Sequence, residues 1–302
     1  MIDFTLFFCI IMCVMSSDVV VKAPAKVNIG LRILEKRGDG YHGIESIFQT
    51  IDICDDLLIQ KTCERSCLVE CEQMRLPLEN TLTKTYEAFS SKIKIDFGVK
   101  VQLTKNLPVG GGLGGGSSDG ASLLKGLADL AGVELTDSLA DSVAEKVGSD
   151  LFFFLHSGFF NHGSGCALVS GRGEIVERIE PRKDLFFLLV FPGIHSSTAE
   201  AYSLFDKARK SGSLVACPDF MELKEIYQRS VKSWNFANSF TPVLVQRYPL
   251  IGKAIEDVKK CGADWAEMSG SGSTVFGIFE SEKAAKKALS ECQKKWSCVL
   301  VR

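Results

Sequence analysis

Apolar and polar positions alternate along the chain with periods that change from segment to segment. Over residues 27–34, Val27, Ile29, Leu31 and Ile33 alternate with Asn28, Gly30 and Arg32, the two-residue period of a strand with one buried face. With the VVV of residues 19–21 before it, this predicts two strands or one long bent strand. Residues 36–41 (KRGDGY) carry turn chemistry. Apolar periodicity resumes over 44–58, as expected of a strand that pairs back. Residues 80–90 read as a helix with Leu82, Tyr86 and Phe89 on one side, and Val99, Val101 and Leu103 alternate as a strand. A helix follows the glycine-rich stretch at 110–116, with Leu124, Leu127 and Leu130 as its apolar stripe and Ser117 or Ser118 as its cap.

Further helices are predicted over 138–146, 198–208, 220–228, 251–260 and 282–294. A strand is predicted over 186–191, and strands on both sides of a glycine turn over 265–279. Helices and strands mix without strict βαβ alternation, which points to an α+β fold. There is no internal repeat and no long linker, and a boundary is expected near 160–165.

Charge and cysteine content narrow the function classes. Lys and Arg number 35 against 37 Asp and Glu, a net charge of −2, which excludes a general nucleic-acid binder. The eleven cysteines are odd in number and scattered from Cys9 to Cys298. On a chain of this size that pattern reads as reduced thiols in a cytoplasmic protein. Cys63, Cys67 and Cys71 are evenly spaced, but the spacing fits no standard zinc pattern, so they are assigned to packing. Residues 1–15 (MIDFTLFFCIIMCVM) are apolar yet short of the roughly 20 residues a membrane span takes. They also lack the charge and cleavage pattern of a signal peptide. They are read as an extension outside the core, with Met15 as an alternative start. No membrane association and no obligatory protein partner is expected.

The chemistry concentrates at residues 110–116, GGGLGGG. Glycine at such density before a helix lets several N–H groups converge on one anion, most naturally a phosphate, and keeps a Cβ out of its path. No Lys follows the glycines, so a Walker A loop is excluded. A formal GxGxxG match through Gly110, Gly112 and Gly115 lacks the βαβ context of a dinucleotide fold. The further signatures of protein kinases are absent.

Residues 108–118 (PVGGGLGGGSS) resemble the phosphate loop of the GHMP kinases, the superfamily of galactokinase, homoserine kinase and mevalonate kinase. Residues 23–31 (APAKVNIGL) resemble its first motif and 268–276 (MSGSGSTVF) its third, in the family's order. The GDGYH turn and the GGGLGGGSSD form of the loop look like the branch that phosphorylates the 2-hydroxyl of 4-diphosphocytidyl-2-C-methyl-D-erythritol in the non-mevalonate isoprenoid precursor pathway. The resemblance implies a two-lobed α+β GHMP kinase fold, with the active site in a cleft between an ATP-binding lobe (16–162) and a C-terminal α/β lobe (163–302). It also implies a small-molecule kinase using ATP as phosphoryl donor with Mg²⁺.

Residue by residue, the resemblance nominates Asp150 as the base and Lys26 as its cationic partner. Pro108, Val109, Gly110, Gly111, Gly112, Leu113, Gly114, Gly115, Gly116, Ser117 and Ser118 would hold the ATP phosphates, with Asn80 and Lys105 near adenine. Asn28 would contact the methylerythritol end of the acceptor. Tyr41 and Tyr202 would sandwich the cytosine of its cytidine diphosphate group, and His42 would read the polar edge. Gly270 and Gly272 belong to the third-motif glycine loop. No protein side chain is assigned to the metal. The segment 148–155 (GSDLFFFL) departs from the family's GADVPFFL at Ser149 and Phe152 but keeps Asp150. Other GHMP kinases, and a non-catalytic sensor on the same fold, are the alternatives. The GDGYH turn speaks against the first and the paired Lys26 and Asp150 against the second.

Overall fold

The computed structural model describes residues 18–212 and 214–302. The apolar extension and the choice between Met1 and Met15 lie outside them. The chain forms two compact units, and each is assembled from separate stretches of sequence.

The first unit takes in the described residues up to Pro24, Cys54–Asn106 and Gly115–Leu151. Its sheet is built on β4 (Gly98–Thr104), which pairs antiparallel with the C-terminal part of β2 (His42–Thr62), from Asp56 opposite Thr104 to Thr62 opposite Gly98. On its other side β4 pairs in parallel with the short β3 (Cys67–Glu70). Helix α1 (Thr81–Lys92) packs against α2 (Gly115–Ala131) and α3 (Asp137–Val147). Leu82, Tyr86 and Phe89 are buried as their spacing predicts. The glycine at 126 lets α2 lie close on the sheet, since a Cβ there would stand 2.3 Å from Ile59 Cδ1. Cys63 is exposed, and Cys67 opens β3, where burial and the nearby Glu87 carboxylate push its thiol up to about 12. Among the described residues no His, Cys, Asp and Glu cluster suits a metal ion.

The second unit comprises Ala25–Ile53, Leu107–Gly114 and Phe152–Arg302. The predicted first strands are one continuous element, β1 (Val19–Lys36). The N-terminal part of β2 pairs antiparallel with β5 (Cys166–Ser170), which pairs with β6 (Ile175–Arg178). A second, antiparallel sheet runs β10 (Ser297–Val301), β7 (Phe186–Phe191), β9 (Val275–Phe279), β8 (Trp265–Met268). The apolar run at 151–155 is helical, within α4 (Asp150–His156), and α5 (Phe159–His162) follows. Next come α6 (Thr198–Lys210), α7 (Leu223–Gln228), α8 (Thr241–Arg247), α9 (Pro249–Lys260) and α10 (Glu282–Cys292). One core unites Val27, Ile29, Ile47, Leu113, Phe187 and Phe276. No described helix is long and apolar enough to cross a membrane.

One sequence expectation fails in β1. Its polar positions do not face water: every residue from Ala23 to Leu31 is buried, with Lys26 4% and Asn28 1% exposed. Both faces of the strand are covered, so the alternation marks two different packed faces rather than core and solvent.

Candidate active site

In the second unit the three motif segments meet. Lys26 donates its backbone N–H to Leu113 O at 3.0 Å, joining the first motif to the glycine loop. Asn28 N donates to Ser269 Oγ at 3.3 Å, and Ser269 Oγ in turn donates to Gly112 O at 2.9 Å. Thr274 N donates to Gly111 O at 3.1 Å, so the third motif grips the loop at two successive carbonyls. The Lys26 ammonium donates to Asn28 Oδ1 at 2.6 Å and lies 4.4 Å above the Phe48 ring. A buried cation with an amide oxygen and an aromatic face among its contacts is aimed rather than solvated.

The loop's glycines have a packing reason that the sequence alone does not show. Gly110, Gly112 and Gly114 have φ of 71°, 77° and 71°, a region costly for other residues. A Cβ on Gly112 would lie 2.2 Å from the Ser269 carbonyl oxygen, and one on Gly114 3.0 Å from Lys26 Cε. The Cβ excluded here would strike the protein itself. Gly270 packs on Asn28, where a Cβ would stand 3.1 Å from Oδ1. Gly272 packs on Met268, with its backbone at φ 81°. His195 stands beside Gly110, a Cβ on which would lie 2.5 Å from Nδ1.

The loop leads straight into α2, whose first residues are Gly115, Gly116, Ser117 and Ser118. Ser117 and Ser118 are therefore in the first turn rather than capping it. The opening N–H groups of a helix have no acceptor within it, and the Ser118 hydroxyl is buried with no hydrogen-bond partner. This cradle of backbone donors fits a polyphosphate. Pro108 and Val109 precede it, Val109 being exposed.

Elsewhere in the first unit, Asp150 opens α4 and is half-buried. Asn80 is the N-cap of α1: its Oδ1 accepts from Leu82 N at 2.9 Å and Thr83 N at 3.2 Å, and its Nδ2 donates to Pro77 O. Lys105 donates to Asp55, and to Asp119 Oδ2 at 2.9 Å, with both carboxylates buried and the lysine partly so. Asn80 and Lys105, expected beside adenine, are thus engaged in capping a helix and neutralising two carboxylates. Burial works to lower the Lys105 pKa, but Asp119 and Asp55 outweigh it and hold it above the usual value. Burial raises the Asp119 pKa, Lys105 pulls it back, Asp55 pushes it up, and the result is about 7.

The expected nucleobase residues are arranged differently from the predicted sandwich. Tyr202, on α6, stacks on His42, with ring centroids 5.2 Å apart and planes at 19°. Tyr41 is 62% exposed, with the Arg172 guanidinium 5.4 Å above its ring. His42 Nδ1 donates to Leu34 O at 2.8 Å, and Nε2 is 3.0 Å from Asp206 Oδ1, outside hydrogen-bond angles. Both ring nitrogens of His42 therefore face protein groups, and its edge is not open for reading a base.

Sequence reasoning misses several residues. Asn238 donates to Met268 O at 2.9 Å and Gly270 O at 2.8 Å, fixing the third motif, and no quoted motif contains it. Ser269 and Thr274 lie inside the third motif without a signal that separates them from its other residues. Asp55 and Asp206 carry no local signal beyond being acidic, and Asp119, the last residue of GGGLGGGSSD, carries none for its partners.

The GHMP kinase N-terminal domain matches residues 80–158 and the GHMP kinase C-terminal domain residues 200–298. The chain is 38% identical over 289 residues to a 4-diphosphocytidyl-2-C-methyl-D-erythritol kinase of Treponema pallidum (strain Nichols), covering 93% of this chain and 97% of the relative. Its identity to the Thermotoga maritima protein of that name is also 38%, over 86% of this chain and 91% of the relative. A crystal structure of a 4-(cytidine 5'-diphospho)-2C-methyl-D-erythritol kinase superposes with a TM-score of 0.74 at 25% identity, covering 94% of this chain and 98% of that one. Homoserine kinase from Cytophaga hutchinsonii shares the fold, with a TM-score of 0.67 at 17% identity over 95% of this chain and 94% of that one. With the loop, the first motif and the third motif joined as the family's sequence order implies, the chain belongs to the GHMP kinase family, in its 4-diphosphocytidyl-2-C-methyl-D-erythritol kinase branch.

Proposed function

We propose that this kinase transfers the terminal phosphoryl group of ATP to the 2-hydroxyl of 4-diphosphocytidyl-2-C-methyl-D-erythritol, within the non-mevalonate isoprenoid precursor pathway. The observation that carries this reading is the hydrogen-bonded junction of Lys26, Leu113, Gly112 and Ser269, which joins three family motifs. Phosphoryl transfer asks a protein chiefly for positioning and charge stabilisation. Residues 108–118 hold the phosphates through backbone donors, and Mg²⁺ enters with the ATP. Asp150 takes the proton of the acceptor hydroxyl, and Lys26 supplies positive charge for the transferred phosphoryl group. Asn28, fixed between Lys26 and Ser269, contacts the methylerythritol end. Tyr202 offers a ring face to cytosine, and Tyr41, on its exposed turn, covers the base. None of the nine described cysteines is disulfide-bonded, which supports a reducing, cytoplasmic setting.

The test is ADP release measured with the cytidylyl alcohol, homoserine and mevalonate in parallel. Release is expected with the first, and release with only one of the others would overturn the reading. Asp150→Asn should lower kcat by about 10²–10⁴ with little change in either KM. Near-normal turnover in that variant removes Asp150 from the mechanism.

A further inference from the structure

Asn238 sits in a short stretch of chain that touches two of the three motifs. Its neighbours bond to β1: Leu31 N donates to Ala237 O and Ser239 N donates to Leu31 O, both at 2.8 Å. Leu31 closes the first motif, so the stretch is registered on the strand that carries Lys26 and Asn28. The Asn238 side chain meets the third motif. Its Nδ2 donates to Met268 O at 2.9 Å and Gly270 O at 2.8 Å, and its Oδ1 accepts from Phe240 N at 2.9 Å. The residue is 1% exposed, so these groups take the place of water. One orientation of the amide puts its NH2 on both carbonyls and its oxygen on the N–H. Aspartate would oppose oxygen to oxygen there, and serine has one proton where two are used.

The two gripped carbonyls belong to the residues on either side of Ser269, whose hydroxyl accepts from Asn28 N and donates to Gly112 O. The glycine loop is held at three successive carbonyls: Gly111 O by Thr274 N, Gly112 O by Ser269 Oγ and Leu113 O by Lys26 N. Two of the three donors come from the third motif. These peptides are trans, and in a trans peptide the N–H points opposite the C=O. Holding the three carbonyls therefore aims the N–H groups of Gly112, Leu113 and Gly114 away from the groups that hold them.

We propose that Asn238 is a positioning residue for the phosphoryl donor, acting through Ser269. Asn238 fixes the backbone on both sides of Ser269, the Ser269 hydroxyl fixes the Gly112 carbonyl, and that carbonyl sets the direction of the Leu113 N–H. The Asn238 amide is fully used on protein groups, so its contribution is geometry rather than contact. Backbone donors aimed before an anion arrives bind it better than donors that must reorient on binding. Asn28 depends less on this chain of bonds, because β1 is also held by its own pairing with β2. The proposal rests on the reading of residues 108–118 as the ATP phosphate site.

The experiment uses the full chain, well below the melting temperature of every variant, and measures kcat and both KM values. Gly116→Ala tests the underlying reading and should raise the ATP KM roughly tenfold or more. Asn238→Leu keeps the size of the side chain and removes its hydrogen bonds. It should raise the ATP KM about five- to thirtyfold and leave the cytidylyl KM within about twofold. Ser269→Ala should raise the ATP KM in the same way, through the next bond in the chain. Asn238→Leu combined with Ser269→Ala should fall well short of the product of the two single effects, since both act on one carbonyl.

If Gly116→Ala and Asn238→Leu both keep the parent's ATP KM, the reading falls and takes the proposal with it. An unchanged ATP KM in Asn238→Leu, beside a weakened Gly116→Ala, sinks the proposal alone. So does a loss confined to kcat, which marks a smaller folded fraction, an equal rise in both KM values, or a double variant as weak as the product of its singles. If Asn238→Leu fails to fold, Asn238→Ser, which can still donate once, takes its place in every arm.

Discussion

Asp119 shows how one carboxyl can depend on neighbours from distant parts of the chain. It shares the Lys105 ammonium with Asp55, so two carboxylates compete for one cation, and its Oδ1 is buried with no hydrogen-bond partner. Its pKa is about 7 in the folded protein against an ordinary 3.8. Between those values the folded chain keeps a proton that the unfolded chain has lost. The stabilisation from this group is therefore fully present below about pH 4, declines as pH rises, and is gone above pH 7. Asn cannot ionise, so Asp119→Asn should be more stable than the parent at pH 8.5, by on the order of 2 kcal/mol. Near pH 5 the gain should be small. Urea unfolding at both pH values checks this; an equal effect at the two, or a loss at pH 8.5, would show that Asp119 is charged and satisfied.

The glycine loop and α2 form one element with two kinds of glycine. At Gly112 a side chain is excluded by φ of 77° and by the Ser269 carbonyl. Gly112→Ala should therefore cost about 2 kcal/mol or more in stability, whatever happens to ATP. Gly116 differs: a Cβ there meets only Thr81 Oγ1 at an ordinary 3.5 Å. In a helix, Ala should be as stable as Gly or better, by up to about 1 kcal/mol. If the phosphates approach the backbone at this turn, the ATP KM of Gly116→Ala should rise roughly tenfold or more while its melting temperature holds. Kinetics and thermal unfolding of the two variants side by side separate the roles. A Gly116→Ala variant with unchanged ATP KM would place the phosphates away from the helix start.

For the whole molecule, the units' discontinuity has a consequence for fragments. The core of the second unit needs Val27 and Ile29 from β1, Ile47 from β2 and Leu113 from the loop, together with Phe187 and Phe276 far along the chain. A fragment of residues 163–302 keeps the antiparallel sheet but loses those strands. It should show no cooperative unfolding transition when expressed alone. Co-expression with residues 16–162 should restore one. Cooperative unfolding of the isolated 163–302 fragment would show that its own sheet and helices make a sufficient core.

Much of the architecture follows from local sequence. β1, β4, β7, α1, α2 and α6 are where the sequence pattern puts them, because apolar runs, alternation and helical stripes record backbone conformation and burial. The three glycine-bearing motifs are also legible, since turns and close approaches demand residues that few positions tolerate. Weaker elements escape: β3 and β6 have 4 residues each, too few for a period to declare itself. What sequence could not decide is who stands opposite a polar or small residue. Ser269 lies 157 positions from the Gly112 carbonyl that it binds. Asp206 meets His42 across more than half the chain. Lys105 carries no local sign that Asp55 and Asp119 will claim it. Local pattern encodes burial and backbone conformation, both properties of neighbouring residues. The pairing of a buried charge, amide or imidazole depends on which distant segments the packed core brings within about 3 Å, the reach of a hydrogen bond, and only the tertiary structure sets that.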